Sequence, residues 1–248
     1  MDFLQVLSSP GFYAAIVGVA LLCYVSTRDY LGKGSSVVII MNLLIGLSMF
    51  KKLIVLLVSV PYASSFCSDW NCQYIKPVVL RGGINKYAWS KVLVCGLSAF
   101  CVALFGMLLF AATLALRFPF YVPDENKPFL YETLLSGPFP LAYLLVIICI
   151  FSLAAALWAV TGLACSAYIP NRFVAICTPL VFSYVLEEFT AIFPKYLNIY
   201  YLTRGEDVIG QGPLLTFFYT VGVFLVLIVL VGLLFRRTVM RRVRNEIV

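Results

Sequence analysis

The sequence predicts an all-α fold, a polytopic helical membrane protein with six transmembrane helices and a short helix between spans two and three. Three observations predict it. The chain of 248 residues is 62% hydrophobic and only 12% charged, with a mean hydropathy of +1.00, whereas soluble domains carry about 25% charged residues. Its apolar residues are gathered into runs that approach or exceed the ~20 residues needed to cross a bilayer. Its charges fall mostly in the polar intervals between those runs, and this is how a chain records its own topology. Residues 1–248 read as one transmembrane domain.

The first run, 11–26, opens without any Lys or Arg between Met1 and Pro10, so it lacks the basic n-region of a signal peptide and is expected to remain as span one. Val37–Phe50, Lys51-Lys52 and Leu53–Cys67 follow. As one helix they would extend ~50 Å at 1.5 Å per residue, with two lysines near the middle. The expectation is therefore a re-entrant or interfacial segment at 37–50 and span two at 53–67, with the lysines snorkelling to the outer headgroups. Residues 68–90 are polar, basic and aromatic. Span three is expected at 91–116, and span four at 139–164 after a loop containing three prolines. A tight turn around Tyr168–Arg172 leads to span five at 173–193. Span six covers 214–235, and a basic cytoplasmic tail occupies 236–248.

Orientation follows from the basic residues. With the N-terminus inside, Lys76, Arg81, Lys86, Lys91, Arg172 and the tail arginines 236, 237, 241, 242 and 244 all fall on the inner side. Lys and Arg accumulate in cytoplasmic segments, so both termini are expected in the cytoplasm and the chain in the cell membrane. The same clusters attract anionic lipid or an acidic partner surface; their placement does not suggest nucleic acid binding. Five of the eight cysteines, at 23, 95, 101, 149 and 177, lie in apolar runs as small hydrophobes. Cys67 and Cys72 fall on the cytoplasmic side, where thiols stay reduced.

The chain has no histidine. Histidine-containing zinc sites, the serine–histidine dyad of intramembrane serine proteases and the histidine-dependent prenyl-processing proteases are thereby excluded. Glu187-Glu188 opens like the last of these but continues Phe189-Thr190-Ala191-Ile192, with no residue to complete a metal site. No enzyme activity, cofactor or metal is expected on this chain. Glu187 and Glu188 are candidate path-lining residues, because carboxylates inside a membrane are costly and tend to be functional. Placement at the outer headgroup boundary, or pairing with Lys195 or a neighbouring helix, is the competing and plainer explanation. They sit about 15 residues into span five, in its outer third, and neighbours on a helix point about 100° apart.

The interval 68–91 is the most informative stretch. Tyr74, Ile75, Val78 and Val79 recur at helical spacing with polar residues between them. Pro77 suits a first helical turn and Gly82-Gly83 a stop. A short amphipathic helix lying along the membrane is one reading; an interfacial loop with topogenic charges is the other. The order Ser-Phe-Cys-Ser-Asp-Trp, amphipathic stretch, small-residue break and Tyr-Ala-Trp-Ser-Lys resembles the membrane subunits of type-2 ATP-binding-cassette (ABC) exporters. The resemblance extends to the length and span count of the whole chain. It implies that Tyr74–Leu80 is a coupling helix resting on a separate cytoplasmic ATPase subunit, with Tyr74, Ile75, Lys76, Pro77, Val78, Val79, Leu80 and Arg81 as the coupling residues. It further matches Lys91 to the lysine that opens span three and Asp69 to the acidic residue where span two ends. The chain departs from the family in lacking the longer amphipathic helix many members carry before span one.

No G-x-x-x-x-G-K-[ST] sequence is present, so ATP and magnesium would bind the partner ATPase. The implied function is a permease subunit of an exporter. A second membrane subunit, identical or related, would complete the translocation path, and the abundance of aromatic and aliphatic residues suggests a hydrophobic or amphipathic cargo such as a peptide, lipid or drug. The competing readings are a stand-alone channel or secondary carrier, and a non-transporting membrane scaffold or immunity protein.

Overall fold

The computed structural model describes residues 6–32, 35–46, 48–75, 77, 83–121, 140–205 and 213–247. They are helical, with no strand among them. The helices are α1 (Pro10–Thr27), α2 (Val37–Gly46), α3 (Ser48–Ser59), α4 (Ser65–Asn71), α5 (Ile84–Ala115), α6 (Pro140–Tyr168), α7 (Arg172–Thr190), α8 (Ile199–Arg204) and α9 (Pro213–Ile247). Five of these helices are long and apolar enough to cross a membrane, and a sixth crossing is added if α2 and α3 count together. This is a membrane protein. Water could not solvate the exposed faces of α1, α7 and α9, whose Leu21, Phe173, Phe182, Phe218 and Val226 lie open.

The bundle is organised around α6, which touches α3, α4, α5, α7, α8 and α9. Within its apolar stretch 78% of residues are buried, against 17% for α9, so α6 is the central post and α9 a peripheral one. Small residues let the neighbours approach, as is usual where lipid removes the hydrophobic drive between helices. A Cβ at Gly162 would stand 2.5 Å from the Ala175 carbonyl oxygen and 2.7 Å from Pro179 on α7. Gly162→Ala is therefore expected to push α6 and α7 apart and cost about 1–3 kcal/mol, the usual cost of overpacking. A lower thermal midpoint in detergent checks this.

The helices begin and end for local reasons. Pro10 occupies the first turn of α1, where its missing N–H costs nothing. The Asn171 side chain accepts a 2.9 Å hydrogen bond from the Phe173 N–H and so caps α7 after a short turn. Gly83, at φ +77°, supplies the left-handed backbone from which α5 starts.

Two expectations need correction. Residues 53–67 are not one continuous span, whereas 37–59 form a bent helix pair that is either a broken span or the re-entrant segment expected there. Val37–Gly46 and Met49–Ser59 meet at 84°, and turns at 60–64 separate them from α4. The second concerns 236–247, expected as a tail, which continue α9 without a break. Phe235, Val239 and Val243, four residues apart, form a buried stripe along it. Phe235 meets Phe66 edge-on at 5.5 Å, and Arg236 Nε donates to Asn85 Oδ1 at 2.8 Å. Arg242 donates to the Tyr168 carbonyl and lies 5.1 Å from the centre of the Trp70 ring. The last turns of α9 are thus tied to the ends of α4, α5 and α6.

Candidate functional site

Among the described residues two charged clusters stand in the bundle, and each joins different helices. The first joins α4 to α5. Lys91 Nζ lies 2.9 Å from Asp69 Oδ2, and the Tyr87 hydroxyl donates to the same oxygen at 2.8 Å. The ammonium also sits 5.1 Å from the centre of the Tyr62 ring and 5.8 Å from that of Tyr87. Tyr87 and Lys91 are four apart on α5, so both point at one spot beside the end of α4. Lys91 is buried, and both side chains of the pair retain little exposure. The cluster clamps together the two helices that enter and leave the interval 72–83.

Within that interval Tyr74 is exposed at 59% and Ile75 buried at 4%. Pro77 is exposed. Of the other expected coupling residues, Lys76, Val78, Val79, Leu80 and Arg81 lie outside the described residues. Ile75 belongs to the main apolar core, so part of the interval is anchored while Tyr74 and Pro77 face outward.

The second cluster corrects the expected place of the lysines. Lys51 and Lys52 do not reach out to headgroups: their side chains are 3% and 7% exposed. Both meet Glu187, Lys51 at 2.9 Å from Oε1 and Lys52 at 3.1 Å from Oε2. Tyrosine rings cover the ammonium groups, Tyr200 at 4.9 Å from Lys51 and Tyr184 at 3.9 Å from Lys52. Phe151, Ala154, Ala155 and Trp158 of α6 border the same space. Ala154 is the midpoint of that 29-residue helix, so Glu187, in the last third of the 19-residue α7 as expected, faces the middle of the longer α6. The gap among these groups is only about 10 Å³, room for about one water. On the side facing α6 the triad is tightly packed.

Glu188 points elsewhere, as the 100° step requires, and is exposed. It borders a wider cavity of about 490 Å³ together with Lys52, Glu187, Lys195 and Tyr201. Lys195 in turn stands 5.9 Å from the Tyr201 ring centre. Both glutamates border this space, Glu187 with little exposure and Glu188 in the open. Among the described residues, no group of three or more His, Cys, Asp or Glu side chains is placed to hold a metal ion.

Sequence reasoning singled out Asp69, Lys91, Glu187 and Glu188, but missed Lys51, Lys52 and Tyr87 as their partners. A doubled lysine inside an apolar run was the available signal, since buried charge demands an opposite charge. No protein-family model, curated protein or solved structure matches this chain.

Proposed function

We propose that this chain is the permease subunit of an ABC exporter, with six crossings of the cell membrane and both ends in the cytoplasm. The observation that carries the reading is the Asp69–Lys91–Tyr87 clamp. It makes a rigid base of the two helices on either side of 72–83, so a force applied to that interval passes directly into the 32-residue α5. A loop used only as a connector has no need of such a base. The exposed Tyr74 and Pro77 are the contact residues for a separate ATPase, which binds ATP and magnesium.

The count of six is supported from both ends of α5. The Val37 and Val38 N–H groups donate to the Pro119 and Phe120 carbonyls, at 3.1 and 3.3 Å, just past its C-terminus. Asp69 meets Lys91 near its N-terminus. Residues 37–69 thus travel the length of α5, a distance of ~40 Å, and α2 to α4 together make one broken crossing. The basic residues of the 76–91 interval and of the α9 end then share one face, the cytoplasmic one.

Because the space between the Lys51–Lys52–Glu187 triad and α6 has room for only about one water, the path for a hydrophobic or amphipathic cargo runs between this chain and a second membrane subunit. The cavity beside Glu188 opens toward that path. A tagged copy purified from its native membrane in mild detergent is expected to bring an ATPase chain with it. A protein that purifies alone and still moves a ligand overturns the reading.

One observation favours a second reading, a stand-alone carrier. Charges at mid-depth are typical of secondary transporters, and the Lys51–Lys52–Glu187 triad is such a charge centre. On that reading transport by the purified chain follows an ion gradient and needs no ATP.

A further inference from the structure

A groove of about 720 Å³ runs between α1 and α5, at the end of the bundle opposite the Asp69–Lys91 clamp. We infer that it is a binding site for an anionic phospholipid, one acyl chain lying in the groove and the headgroup phosphate meeting Arg28 and Arg117. The site stands whether or not an ATPase partners this chain.

The groove has the size of a small-molecule pocket, ~300–1,000 Å³, and the usual make-up of apolar walls with a few convergent polar groups. Val17 and Leu21 of α1 form one wall, Leu109 and Leu116 the other, with Arg28 and Arg117 at the mouth. The two helices run side by side in the same direction. They touch closely at Val19 and Gly106, where a Cβ on the glycine would stand 2.7 Å from Val19, and both end at the mouth, at Thr27 and Ala115. Leu21, 60% exposed, and Leu109, 44% exposed, leave the groove open along its side, so a lipid tail reaches it from the bilayer without passing through protein.

Charge complementarity selects the headgroup. Arg28 and Arg117 are both exposed, and they stand where the apolar part of each helix stops, the level of the lipid phosphates. Guanidinium groups bind phosphate through paired N–H donors. Both also lie just past a helix C-terminus, where a cation offsets the helix dipole. That role explains each arginine singly, but not why the two open on one groove. Two positive groups at a single mouth prefer a headgroup with net negative charge over a zwitterionic one.

The test uses the full chain reconstituted in vesicles of equal parts phosphatidylglycerol and phosphatidylcholine. The protein is released into mild detergent, and the lipid retained on it is weighed by native mass spectrometry. Phosphatidylglycerol is expected to exceed phosphatidylcholine on the order of ten-fold, the preference that two surface arginines give. Arg28→Gln with Arg117→Gln is expected to abolish the preference, and Arg28→Lys with Arg117→Lys to keep most of it. Leu109→Trp fills the groove with both arginines intact and is expected to reduce retention of both lipids. Equal retention of the two lipids by the native chain overturns the inference, as does a preference that survives the double glutamine change. Undiminished retention in Leu109→Trp overturns it even if the glutamine variant fails to fold. Complete displacement of phosphatidylglycerol by inorganic phosphate at matched concentration also overturns it, because the site would then be one for free anions.

Discussion

Glu187→Gln is expected to cost the protein about 3–5 kcal/mol, the loss typical of leaving a buried charge without its partner. Here the exposure is doubled, because one carboxylate serves both Lys51 and Lys52. Removing it leaves two ammonium groups facing each other in the middle of the bundle, against the apolar face of α6. Tyr184 and Tyr200 offset part of the loss through their ring faces, but neither carries the opposite charge. Thermal unfolding in detergent reads the effect. Glu188→Gln is the matched control: its side chain is exposed, and its change should stay within about 0.5 kcal/mol. Lys51→Met and Lys52→Met combined with Glu187→Met should recover much of the stability, since a buried charge cluster replaced as a whole by apolar groups is often neutral. Equal stability of the Glu187 and Glu188 variants would show that the triad is not formed.

Lys91→Met is expected to have the second largest effect, about 3 kcal/mol. It leaves the Asp69 carboxylate with the Tyr87 hydroxyl as its remaining partner in the cluster. Asp69 is the more exposed member, at 18% against 9%, and water reaches it more readily than it reaches Glu187. That difference puts this loss below the first. Asp69→Asn with Lys91→Met should be less harmful than Lys91→Met alone, and the difference between them measures the pair directly. The proposed function adds a second readout. With the clamp weakened, an ATPase should still bind through Tyr74 and Pro77, but its hydrolysis should drive less transport. A merely stabilising pair would lower the amount of folded protein and leave transport per ATP unchanged.

The spans that could be read from the sequence are those whose evidence is local. The runs in α1, α5, α6, α7 and α9 are long and apolar enough to announce themselves. The place of Lys51 and Lys52 was misjudged because their partner is remote: Glu187 neutralises lysines more than a hundred positions away, and no local pattern reports that. Two lysines in an apolar run then read as a headgroup contact. The end of α9 failed for a different reason. Its arginines drew attention to charge, while Phe235, Val239 and Val243 carried the helical spacing of a buried face in plain view. Asp69 and Lys91 were marked by their family-like positions, but their mutual contact and the part played by Tyr87 needed the fold. The glutamates were recognised as costly, and their different surroundings follow from the 100° step between them, but that Glu187 faces the middle of α6 came only from the fold.

The central claim is that 72–83 docks a separate ATPase on a base held by Asp69 and Lys91. It is tested most directly by purifying a tagged copy from its native membrane, intact and with Tyr74–Leu80 replaced by a Gly/Ser stretch that keeps Ile75. Ile75 is retained because it is buried in the core, so the variant loses its outward surface without losing its anchor. The account predicts that an ATPase chain copurifies with the intact protein and is missing from the variant, while both are recovered in equal amount. An ATPase retained by the variant, or absent from both, would contradict it.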